Sequence, residues 1–342
     1  MSPRIAFVFR RSAVFFSIEN IFRNIIRQIG KSRLPEGYAW IAAEKVVPRE
    51  GLAASGILAN IRFARQLRAD IFHVTGDIHY ITLFLPAKRS ILTVHDCVFM
   101  YNNKGIKKWI LQLVMLKWPV RHCQRITCVS EQTKKDILRF SGCPENKVVV
   151  IPNPVNQRIN RTHRDFETDR PVLLFVGTTS NKNLDRVMDS LDGIPCMLEI
   201  VGRLNPVMEQ RLNERRIAYR NSFDLTEEQV FDKYSGADII LFPSTYEGFG
   251  MPIVEGQKAG RPVITSRLSP MQEVAGDGAC LVDPYDPGSI REGILKVIRE
   301  PAYREQLVTA GLENSKRFDL ETVTLQYEEL YKDIIERVGI NT

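Results

Sequence analysis

The sequence lacks the residue patterns that are typical of structural metal sites and of disulfide-bonded proteins. Its six cysteines include no C-x-x-C pair, and its five histidines do not cluster. Structural zinc needs ligands at short spacing, and a disulfide framework needs a secreted context, so reduced thiols are indicated. No D-x-D triplet follows a predicted strand, so no carboxylate pair is placed to hold Mg²⁺ or Mn²⁺. We therefore expect no metal and no cofactor.

Long hydrophobic runs are also missing. The run Trp109–Leu116 is broken by a glutamine and is far shorter than the ~18 to 20 residues of a membrane span. Near the N-terminus, arginines flank the short apolar run Ile5–Phe9 before a signal-peptide core can form. We therefore expect a cytoplasmic protein.

What is present is an ordinary globular composition with an uneven charge distribution. The 342 residues are 44% hydrophobic and 25% charged, which indicates two folded domains. Residues 1–160 contain 25 Lys and Arg against 10 Asp and Glu, a net charge of +15, whereas residues 161–342 contain 22 against 30, a net charge of −8. The basic half predicts an anionic partner, either nucleic acid, an anionic membrane surface or an anionic substrate, among which charge alone does not choose.

Short apolar, β-branched runs alternate with helix-like segments along the whole chain. Continuous apolar runs of this kind are typical of parallel strands that are covered by helices on both faces. The pattern predicts an α/β fold of two Rossmann-like domains, each a doubly wound parallel sheet, facing each other across a cleft. The predicted strands are Ile5–Phe9, Ile71–Val74, Ile91–Val94, Ile126–Val129, Val148–Ile151, Val172–Val176, Leu198–Val201, Ile239–Phe242, Val263–Thr265 and Ala279–Val282.

The two series of strands are separated by a polar stretch. We predict an N-terminal domain over residues 1–157 and a linker over residues 158–170. A C-terminal domain is predicted over residues 171–318. Apolar residues at helical spacing then predict a final helix within residues 319–342, which we expect to pack across the domain junction.

The segment 237–260 is the most informative part of the chain. A strand ends near residue 242, and a loop follows that holds Glu247, Gly248 and Gly250. A helix is predicted to begin near Pro252, which suits a first helical position, and to end by Gly260. Ligands of open α/β sheets bind beyond the carboxyl ends of the strands, and free N–H groups at a helix N-terminus bind anions. The sequence therefore predicts a diphosphate site at this loop.

Two carboxylates flank the predicted site. Glu247 lies in the loop, and Glu255 is expected in the first helical turn. Carboxylates in direct contact with a diphosphate would repel it. The two glutamates are therefore better suited to accept hydrogen bonds from hydroxyl groups on either side of the diphosphate. The alternative is a helix-capping glutamate and a surface glutamate, since acidic residues commonly occupy first turns.

Here the sequence resembles glycosyltransferase family 4, whose members have the GT-B fold. The match is the E-x7-E pair Glu247 and Glu255 within P-S-T-Y-E-G-F-G-M-P-I-V-E-G, residues 243–256. Shorter matches are residues 94–96 (V-H-D), 128–130 (C-V-S), 151–153 (I-P-N), 175–177 (F-V-G), 182–184 (K-N-L), 260–266 (G-R-P-V-I-T-S), 273–276 (E-V-A-G) and 282–284 (V-D-P). The resemblance is specific over about residues 171–320 and looser over 90–155.

The resemblance implies a retaining, metal-independent transferase that moves a sugar from a nucleotide diphosphate donor. Glu255 would bind the donor ribose, Glu247 the donor sugar hydroxyls, and Lys182 the departing diphosphate, while His95 would approach the sugar from the other domain. The implied catalytic residues are His95, Lys182 and Glu247. The implied donor-binding residues are Gly177, Thr178, Arg203, Gly248, Phe249, Gly250, Met251 and Glu255.

The positions of two of these residues fit the roles on physical grounds. Lys182 follows a predicted strand, and an ammonium with helix N–H donors can stabilise a leaving diphosphate without metal. His95 also follows a strand and lies beside Asp96. The alternatives are a solvated loop lysine and a hydrogen-bonded structural histidine.

The chain departs from the family at several positions. Thr178 stands where members often have a basic residue. Diphosphate binding is therefore expected either to rest more heavily on Lys182 or to be helped by Arg203, which follows a predicted strand. Residues 9–13 (F-R-R-S-A) replace the N-terminal glycine-rich loop. The candidate acceptor-binding residues are Arg11, Asp77, His79 and Tyr80.

Lysines, arginines and two tryptophans interleave with aliphatic residues over Lys104–Arg121. Such a helix either lies in a membrane interface or packs its apolar face in the domain core, and we favour the core.

We expect a transferase for surface polysaccharide or lipopolysaccharide synthesis that works in the cytoplasm, either free or at the inner face of the cell membrane. Its expected partners are a UDP-, GDP- or other nucleotide-sugar, a glycan or lipid-linked acceptor and an anionic membrane surface. A nucleotide-sugar isomerase on the same fold and a non-catalytic partner subunit are the alternatives. A nucleic-acid partner is disfavoured because the basic residues are not interleaved with exposed aromatics on strands.

Overall fold

The structure is a computed structural model that describes residues 2–11, 17–29, 31, 40–49 and 54–339. The chain forms two compact units. The first comprises Met1–Pro154 together with Leu320–Thr342, and the second is Val155–Asp319.

The first unit is built on a six-stranded parallel sheet with the order β2-β1-β3-β4-β5-β6. Its strands are β1 (Arg4–Phe9), β2 (Ile41–Val46), β3 (Ile71–Val74), β4 (Ser90–Val94), β5 (Arg125–Cys128) and β6 (Val148–Val150). Its helices are α1 (Ser17–Gln28), α2 (Ala54–Gln66), α3 (Val98–Asn102), α4 (Gly105–Leu111), α5 (Trp118–His122) and α6 (Glu131–Ser141), and a π-helical stretch, Gln112–Lys117, joins α4 to α5.

Alternate residues of each buried strand face opposite sides of this sheet, as the twofold period of a strand requires. In β1, Ile5 and Phe7 pack in one apolar cluster with Phe22 of α1, whereas Ala6 and Val8 pack in the cluster on the other face. Apolar residues at every position of a central strand are therefore explained by two cores, one on each face of the sheet.

The second unit repeats this plan with the order β12-β11-β10-β7-β8-β9, again all parallel. Its strands are β7 (Val172–Val176), β8 (Met197–Val201), β9 (Tyr219–Ser222), β10 (Ile239–Phe242), β11 (Val263–Ser266) and β12 (Ala279–Val282). Its helices are α7 (Leu184–Ser190), α8 (Pro206–Glu214), α9 (Glu227–Gly236), α10 (Met251–Lys258), α11 (Met271–Ala275), α12 (Pro287–Arg299) and α13 (Pro301–Ser315).

The strand order of the second sheet reverses direction between β7 and β10. The chain moves outward from β7 through β8 to β9, then returns to the other side of β7 to form β10. Connections after these two neighbouring strands therefore diverge, which leaves a crevice at their carboxyl ends. In open α/β sheets, ligands commonly bind at such a crevice.

The last helix, α14 (Leu320–Val338), belongs to the first unit. Its buried face packs in the cluster that contains Phe7 and Phe22, and Tyr331 meets Phe7 edge to face at 6.1 Å between ring centroids. The Tyr331 hydroxyl is also 2.8 Å from Nδ1 of buried His73, whose Nε2 is 2.7 Å from Oγ1 of Thr93. A polar contact inside an apolar core thus fixes this helix against strands β3 and β4.

The domain boundaries lie near the predicted ones but differ in detail. The second unit begins at Val155, so the residues predicted as a linker, 158–170, fall within it. Residues 158–170 make contacts within the second unit. One of these is the ion pair of Arg164 with Asp238, in which Nε and Oδ1 lie 2.9 Å apart. The predicted packing of the final helix across the junction stays a prediction.

All ten strands predicted from apolar runs are present, and the α/β fold of two doubly wound sheets is confirmed. Sequence analysis missed β2 and β9. Both lie at sheet edges and are largely exposed or half-buried, so neither forms a continuous apolar run.

Candidate active site

The loop between β10 and α10 forms the centre of the site. Strand β10 ends at Phe242, and α10 begins at Met251 with Pro252 in its first turn, as predicted. Gly250 precedes the helix with φ +107°, a left-handed conformation that favours glycine. No side chain caps α10. Pro252 has no N–H and the Ile253 N–H donates to the Gly250 carbonyl at 3.0 Å, which leaves the Met251 N–H at the helix start for an anion.

Lys182 and Glu247 meet at this loop. Nζ of Lys182 lies 2.7 Å from Oε1 of Glu247, and both side chains are mostly buried, with 19% and 14% of their surface exposed. Lys182 comes from the turn after β7 and Glu247 from the loop after β10, the two strands between which the order reverses. The Lys182 ammonium also lies 4.7 Å from the ring centroid of Phe242, a cation–π contact.

One oxygen of Glu247 takes all the donors that reach this carboxylate. Oε1 accepts from the Ser244 hydroxyl at 2.6 Å and from Nδ2 of Asn181 at 3.2 Å, in addition to Lys182. No residue in the described part of the chain donates a hydrogen bond to Oε2. The carboxylate is thus held through one oxygen, and the other is available to a hydroxyl group.

Two asparagines that sequence reasoning did not assign fix the same loops. Asn181 donates from Nδ2 to the Tyr246 carbonyl at 2.9 Å. Asn183 is buried with φ +73° and donates to the carbonyls of Pro243 at 3.0 Å and Pro284 at 2.6 Å. The available signal was the N-K-N triplet after a predicted strand, because asparagine tolerates the left-handed conformation and hydrogen-bonds to nearby backbone.

Gly177 supports Lys182 directly. Gly177 directly follows β7 and has a φ of +92°. A Cβ added to it would lie 2.9 Å from Cε and 3.1 Å from Cγ of Lys182. The aliphatic part of the lysine therefore lies across the glycine, and the predicted role of Gly177 in the site becomes one of shaping the path of Lys182.

Glu255 lies on α10 but not in its first turn. Because the helix begins at Met251, Glu255 is its fifth residue, one residue beyond the first turn in which it was expected. Its Oε2 accepts from the hydroxyl of fully buried Tyr234 at 2.6 Å. Burial raises the pKa of Glu255, which the Tyr234 hydrogen bond only partly offsets.

Other predicted donor-binding residues use their side chains elsewhere. Phe249 is buried and meets Phe318 edge to face at 5.5 Å, so only its backbone belongs to the loop surface. Thr178 donates from its hydroxyl to the Arg203 carbonyl at 2.7 Å. The Arg203 guanidinium pairs with Asp224 and lies 4.7 Å from the ring centroid of Phe223, on the β8–β9 side of the sheet. Gly248 and Met251 lie half-buried within the loop and at the helix start.

His95 follows β4 in the first unit. Its Nε2 is 2.9 Å from the Thr75 carbonyl, and burial lowers its pKa, so the ring is neutral at neutral pH. The neighbouring Asp96 caps the next turn by accepting from the Val98 N–H at 2.8 Å. The histidine is therefore held by backbone at a carboxyl end of the sheet, and its role with the donor sugar stays a prediction.

The four candidate acceptor residues differ in their surroundings. His79 is buried and contacts the Met115 carbonyl through Nδ1, and buried Tyr80 accepts from Nδ2 of Asn60 at 2.9 Å. Both side chains serve the core.

The other two candidates are exposed. Asp77 pairs with Arg10 at 2.5 Å, and Arg11 donates to the Pro48 carbonyl at 3.0 Å. Residues 12 and 13 of the segment that replaces the glycine-rich loop lie outside the described residues.

Over the described ranges, no group of three or more His, Cys, Asp or Glu side chains is placed to hold a metal ion. The described cysteines carry no disulfide, and burial raises the pKa of Cys97, Cys123, Cys196 and Cys280.

The basic segment Lys104–Arg121 divides into two parts. Leu111, Val114 and Leu116 pack in the core, as we favoured, but Ile106 and Trp109 on α4 are 78% and 62% exposed. Within α4, Leu111 thus packs in the core whereas Ile106 and Trp109 are exposed, so the core packing that we favoured describes only part of this helix. None of the helices that the structure describes has the length and apolarity to cross a membrane.

Comparison with known proteins accounts for this architecture. The glycosyl transferases group 1 family matches residues 156–314, and Glycosyltransferase Family 4 matches residues 32–158. The chain is 37% identical over 289 residues to O-antigen chain mannosyltransferase B of Escherichia coli, covering 74% of this chain and 73% of that one. It is 28% identical over 254 residues to the uncharacterized glycosyltransferase MJ1178 of Methanocaldococcus jannaschii, covering 71% and 68%.

Among solved structures, Alr3699/HepE of Anabaena, in complex with UDP and glucose, superposes with a TM-score of 0.77 at 15% identity, over 97% of this chain and all of that one. The resemblance inferred from the E-x7-E pair is confirmed: the chain is an enzyme of glycosyltransferase family 4 with the GT-B fold.

Proposed function

We propose that this enzyme is a retaining, metal-independent mannosyltransferase that uses a nucleotide-diphosphate sugar and acts on a glycan or lipid-linked acceptor of a surface polysaccharide. The observation that carries the proposal is the Lys182–Glu247 pair beside the uncapped N-terminus of α10, where the strand order reverses. The sugar is inferred from the E. coli relative, which is named as a mannosyltransferase.

The leaving group needs charge stabilisation at this place. When the bond to the sugar breaks, negative charge develops on the diphosphate. The Lys182 ammonium has three donors, one of which meets Glu247, and the Met251 N–H at the start of α10 supplies a further donor. Donors that are already positioned stabilise the developing charge without reorganisation, which is how a site can act without a metal.

The two glutamates hold the sugars on either side of the diphosphate. Glu247 is fixed through Oε1, so Oε2 is suited to accept a hydrogen bond from a sugar hydroxyl. Glu255 is fixed by Tyr234, lies one turn further along α10, and is suited to the ribose hydroxyls. Holding the donor at both ends orients the reacting carbon, which contributes to the rate as well as to affinity.

The proposal is tested first by binding. A thermal-shift screen against UDP-, GDP-, ADP- and dTDP-sugars, mannose included, should show a rise in melting temperature with one nucleotide class, since a ligand of the native state stabilises it. Turnover with that donor should persist in EDTA, and NMR of the product should show the anomeric configuration of the donor. The proposal fails if no activated sugar raises the melting temperature.

The active-site assignment is tested by substitution. Lys182→Ala and Glu247→Ala should each lower kcat by about 10²-fold or more, the usual cost of losing a transition-state contact. The matched control is Lys233→Ala, which removes another lysine–glutamate pair of this unit, 2.7 Å from Glu199, away from the loop. Full activity in either site variant would refute the assignment.

A second proposal concerns where the enzyme works. We infer that α4 and its neighbours contact an anionic membrane at the inner face of the cell membrane. Ile106, Trp109 and Trp118 are exposed on this segment, 78%, 62% and 48% respectively, next to exposed Lys104 and Lys107. Tryptophan with lysine is the composition of helices that lie in a membrane interface.

Vesicle sedimentation tests this attachment. The enzyme should sediment with phosphatidylglycerol vesicles at low salt, less at high salt, and weakly with phosphatidylcholine, because the attraction to anionic lipid is screened. Trp109→Ala should weaken sedimentation, whereas Val207→Ala, an equally exposed apolar residue of the second unit at 65%, should not. Equal behaviour of the two variants would contradict the proposal.

A further inference from the structure

A cavity of about 340 Å³ opens in the second unit at the sheet edge opposite to Lys182 and Glu247. Asp238 directly precedes β10 and Pro262 directly precedes β11, and both line the cavity, so it lies at the amino ends of these strands. The start of α13, at Pro301, forms another part of its wall. The cavity shares no residue with the site proposed for the donor.

Its lining is strongly basic. The cationic and titratable basic residues are Arg161, His163, Arg164, Arg261 and Arg304. Two carboxylates oppose them. Asp238 is buried and already accepts from Arg164, at 2.9 and 3.3 Å, and from the Val172 N–H at 2.8 Å. Glu305 is exposed. Three guanidinium groups therefore exceed what the single remaining carboxylate can neutralise.

Arg261 is the fixed member of this set. It is only 5% exposed, and Nη2 donates to the Thr162 hydroxyl at 2.6 Å and to the Ser235 carbonyl at 2.7 Å. Nε donates to the Tyr234 carbonyl at 3.3 Å, while Nη1 donates to none of the residues described. Burial, and then the positive charge of Arg164, lower the pKa of Arg261. A cation held in place with a free donor, among other cations, is stabilised by a bound anion.

Arg304 and Arg161 are also held through part of their structure. The Arg304 guanidinium lies 3.8 Å from the ring centroid of Phe166 and uses Nη1 for the carbonyls of Val297 and Ile298, at 2.8 and 3.1 Å. The stem of Arg161 lies against Gly260, where an added Cβ would come 3.0 Å from its Cγ. Both side chains thus keep N–H donors beyond these contacts.

We propose that this cavity binds a small phosphorylated compound, the phosphate being held by Arg161, Arg261 and Arg304. Arginine clusters bind phosphate through charge-assisted, often paired hydrogen bonds. A volume of about 340 Å³ lies near the lower limit of ligand pockets and suits inorganic pyrophosphate or a hexose phosphate better than a whole nucleotide-sugar. The wall at α13, whose N-terminus no side chain caps, adds a positive helix end.

Calorimetric titration with inorganic pyrophosphate and with a hexose 1-phosphate tests the proposal. Arg161→Ala and Arg304→Gln should each weaken binding about tenfold, the cost of one charge-assisted hydrogen bond. Arg161 is exposed, so its variant should keep the wild-type circular dichroism spectrum and melting temperature. The matched control is Arg158→Ala, which removes an exposed arginine of the same unit outside the cavity and should leave binding unchanged.

A further variant separates this site from the donor site. Lys182→Ala should leave the Arg161-dependent binding intact, since the lysine lies at the opposite sheet edge. The proposal is overturned if Arg161→Ala and Arg304→Gln bind both probes as wild type does, or if Lys182→Ala removes all phosphate binding. Because the probes need no turnover, failure of the proposed mannosyl transfer would leave this result readable.

Discussion

Nζ of Lys182 and Oε1 of Glu247 lie 2.7 Å apart although the two residues follow different strands of the second sheet. Their strands, β7 and β10, are neighbours at the point where the strand order reverses. The contact therefore depends on the topology of the sheet rather than on nearness in sequence. It also means that neither side chain can be changed without altering the surroundings of the other.

The first prediction concerns this coupling. In Lys182→Ala/Glu247→Gln, kcat should fall by clearly less than the product of the two single effects, since contacting residues that act together are not additive. Steady-state kinetics of the four proteins give the answer. A double variant whose loss equals the product would show that the two residues act independently.

The second prediction concerns Gly177. Gly177→Ala should lower kcat by about tenfold or more, because the new methyl group would lie 2.9 Å from Cε of Lys182 and displace the ammonium. Gly193→Ala is the matched control: its φ of +65° carries similar backbone strain, but nothing lies within 4 Å of the added methyl. Both variants should lose about 1 kcal/mol of stability, and only the first should lose activity. Equal kinetic losses would contradict this reasoning.

The third prediction concerns the stability cost of Glu255. Its pKa is raised by burial, so the folded protein binds a proton more readily than the unfolded chain, and the free energy of unfolding falls as pH rises from 4.5 through the raised pKa. Glu255→Gln should therefore be more stable than wild type at pH 7 while binding donor less well. The difference should shrink near pH 4.5.

Denaturant unfolding at several pH values, compared with the exposed Glu292→Gln, measures the Glu255 effect. If Glu255→Gln were less stable than wild type at pH 7, the buried carboxylate would not be lowering the free energy of unfolding, and the prediction would be contradicted. Sites that bind ligands commonly retain such a cost in the free protein.

The fourth prediction concerns acid. Burial lowers the pKa of His73 to about 3, well below its ordinary value of 6.5. Between pH 6.5 and about pH 3, His73 is protonated in the unfolded chain but not in the folded protein. The free energy of unfolding is therefore unaffected by His73 above about pH 6.5 and falls by about 1.4 kcal/mol per pH unit toward pH 3. His73→Phe should be less stable at pH 7 because Tyr331 and Thr93 lose their partner, yet its stability should vary less between pH 6.5 and 4.

Circular dichroism melts across this pH range test the His73 prediction. The exposed His163→Phe serves as the control and should keep the acid dependence of wild type. An unchanged pH dependence in His73→Phe would assign the acid sensitivity to other groups.

How far the sequence predicts the structure is shown by the two kinds of strand. Runs such as Val172–Val176 were identified because a strand covered on both faces must be apolar at every position. The edge strand Tyr219–Ser222 has one neighbour and is largely polar, so its pairing depends on β8, which no local pattern reveals.

The site shows the same limit. The loop glycines, Pro252 and the two glutamates were recognised because their order along the chain is itself the signal. That Phe249 turns inward to Phe318, or that Arg203 pairs with Asp224, depends on residues distant in sequence. The roles of Ser244 and Asn181 as partners of Glu247 arise only when the turns after β7 and β10 come together.

The placement of α14 has a consequence for biosynthesis. Residues 155–319 leave the ribosome before the helix that completes the apolar cluster around Phe7 and Phe22 has been made. Nascent chains generally fold from the N-terminus onward. Here the second unit can fold first, while the sheet of the first unit keeps one face uncovered until α14 has been made. A translational pause or truncation before Leu320 would accordingly yield an aggregation-prone product whose second unit is nonetheless native.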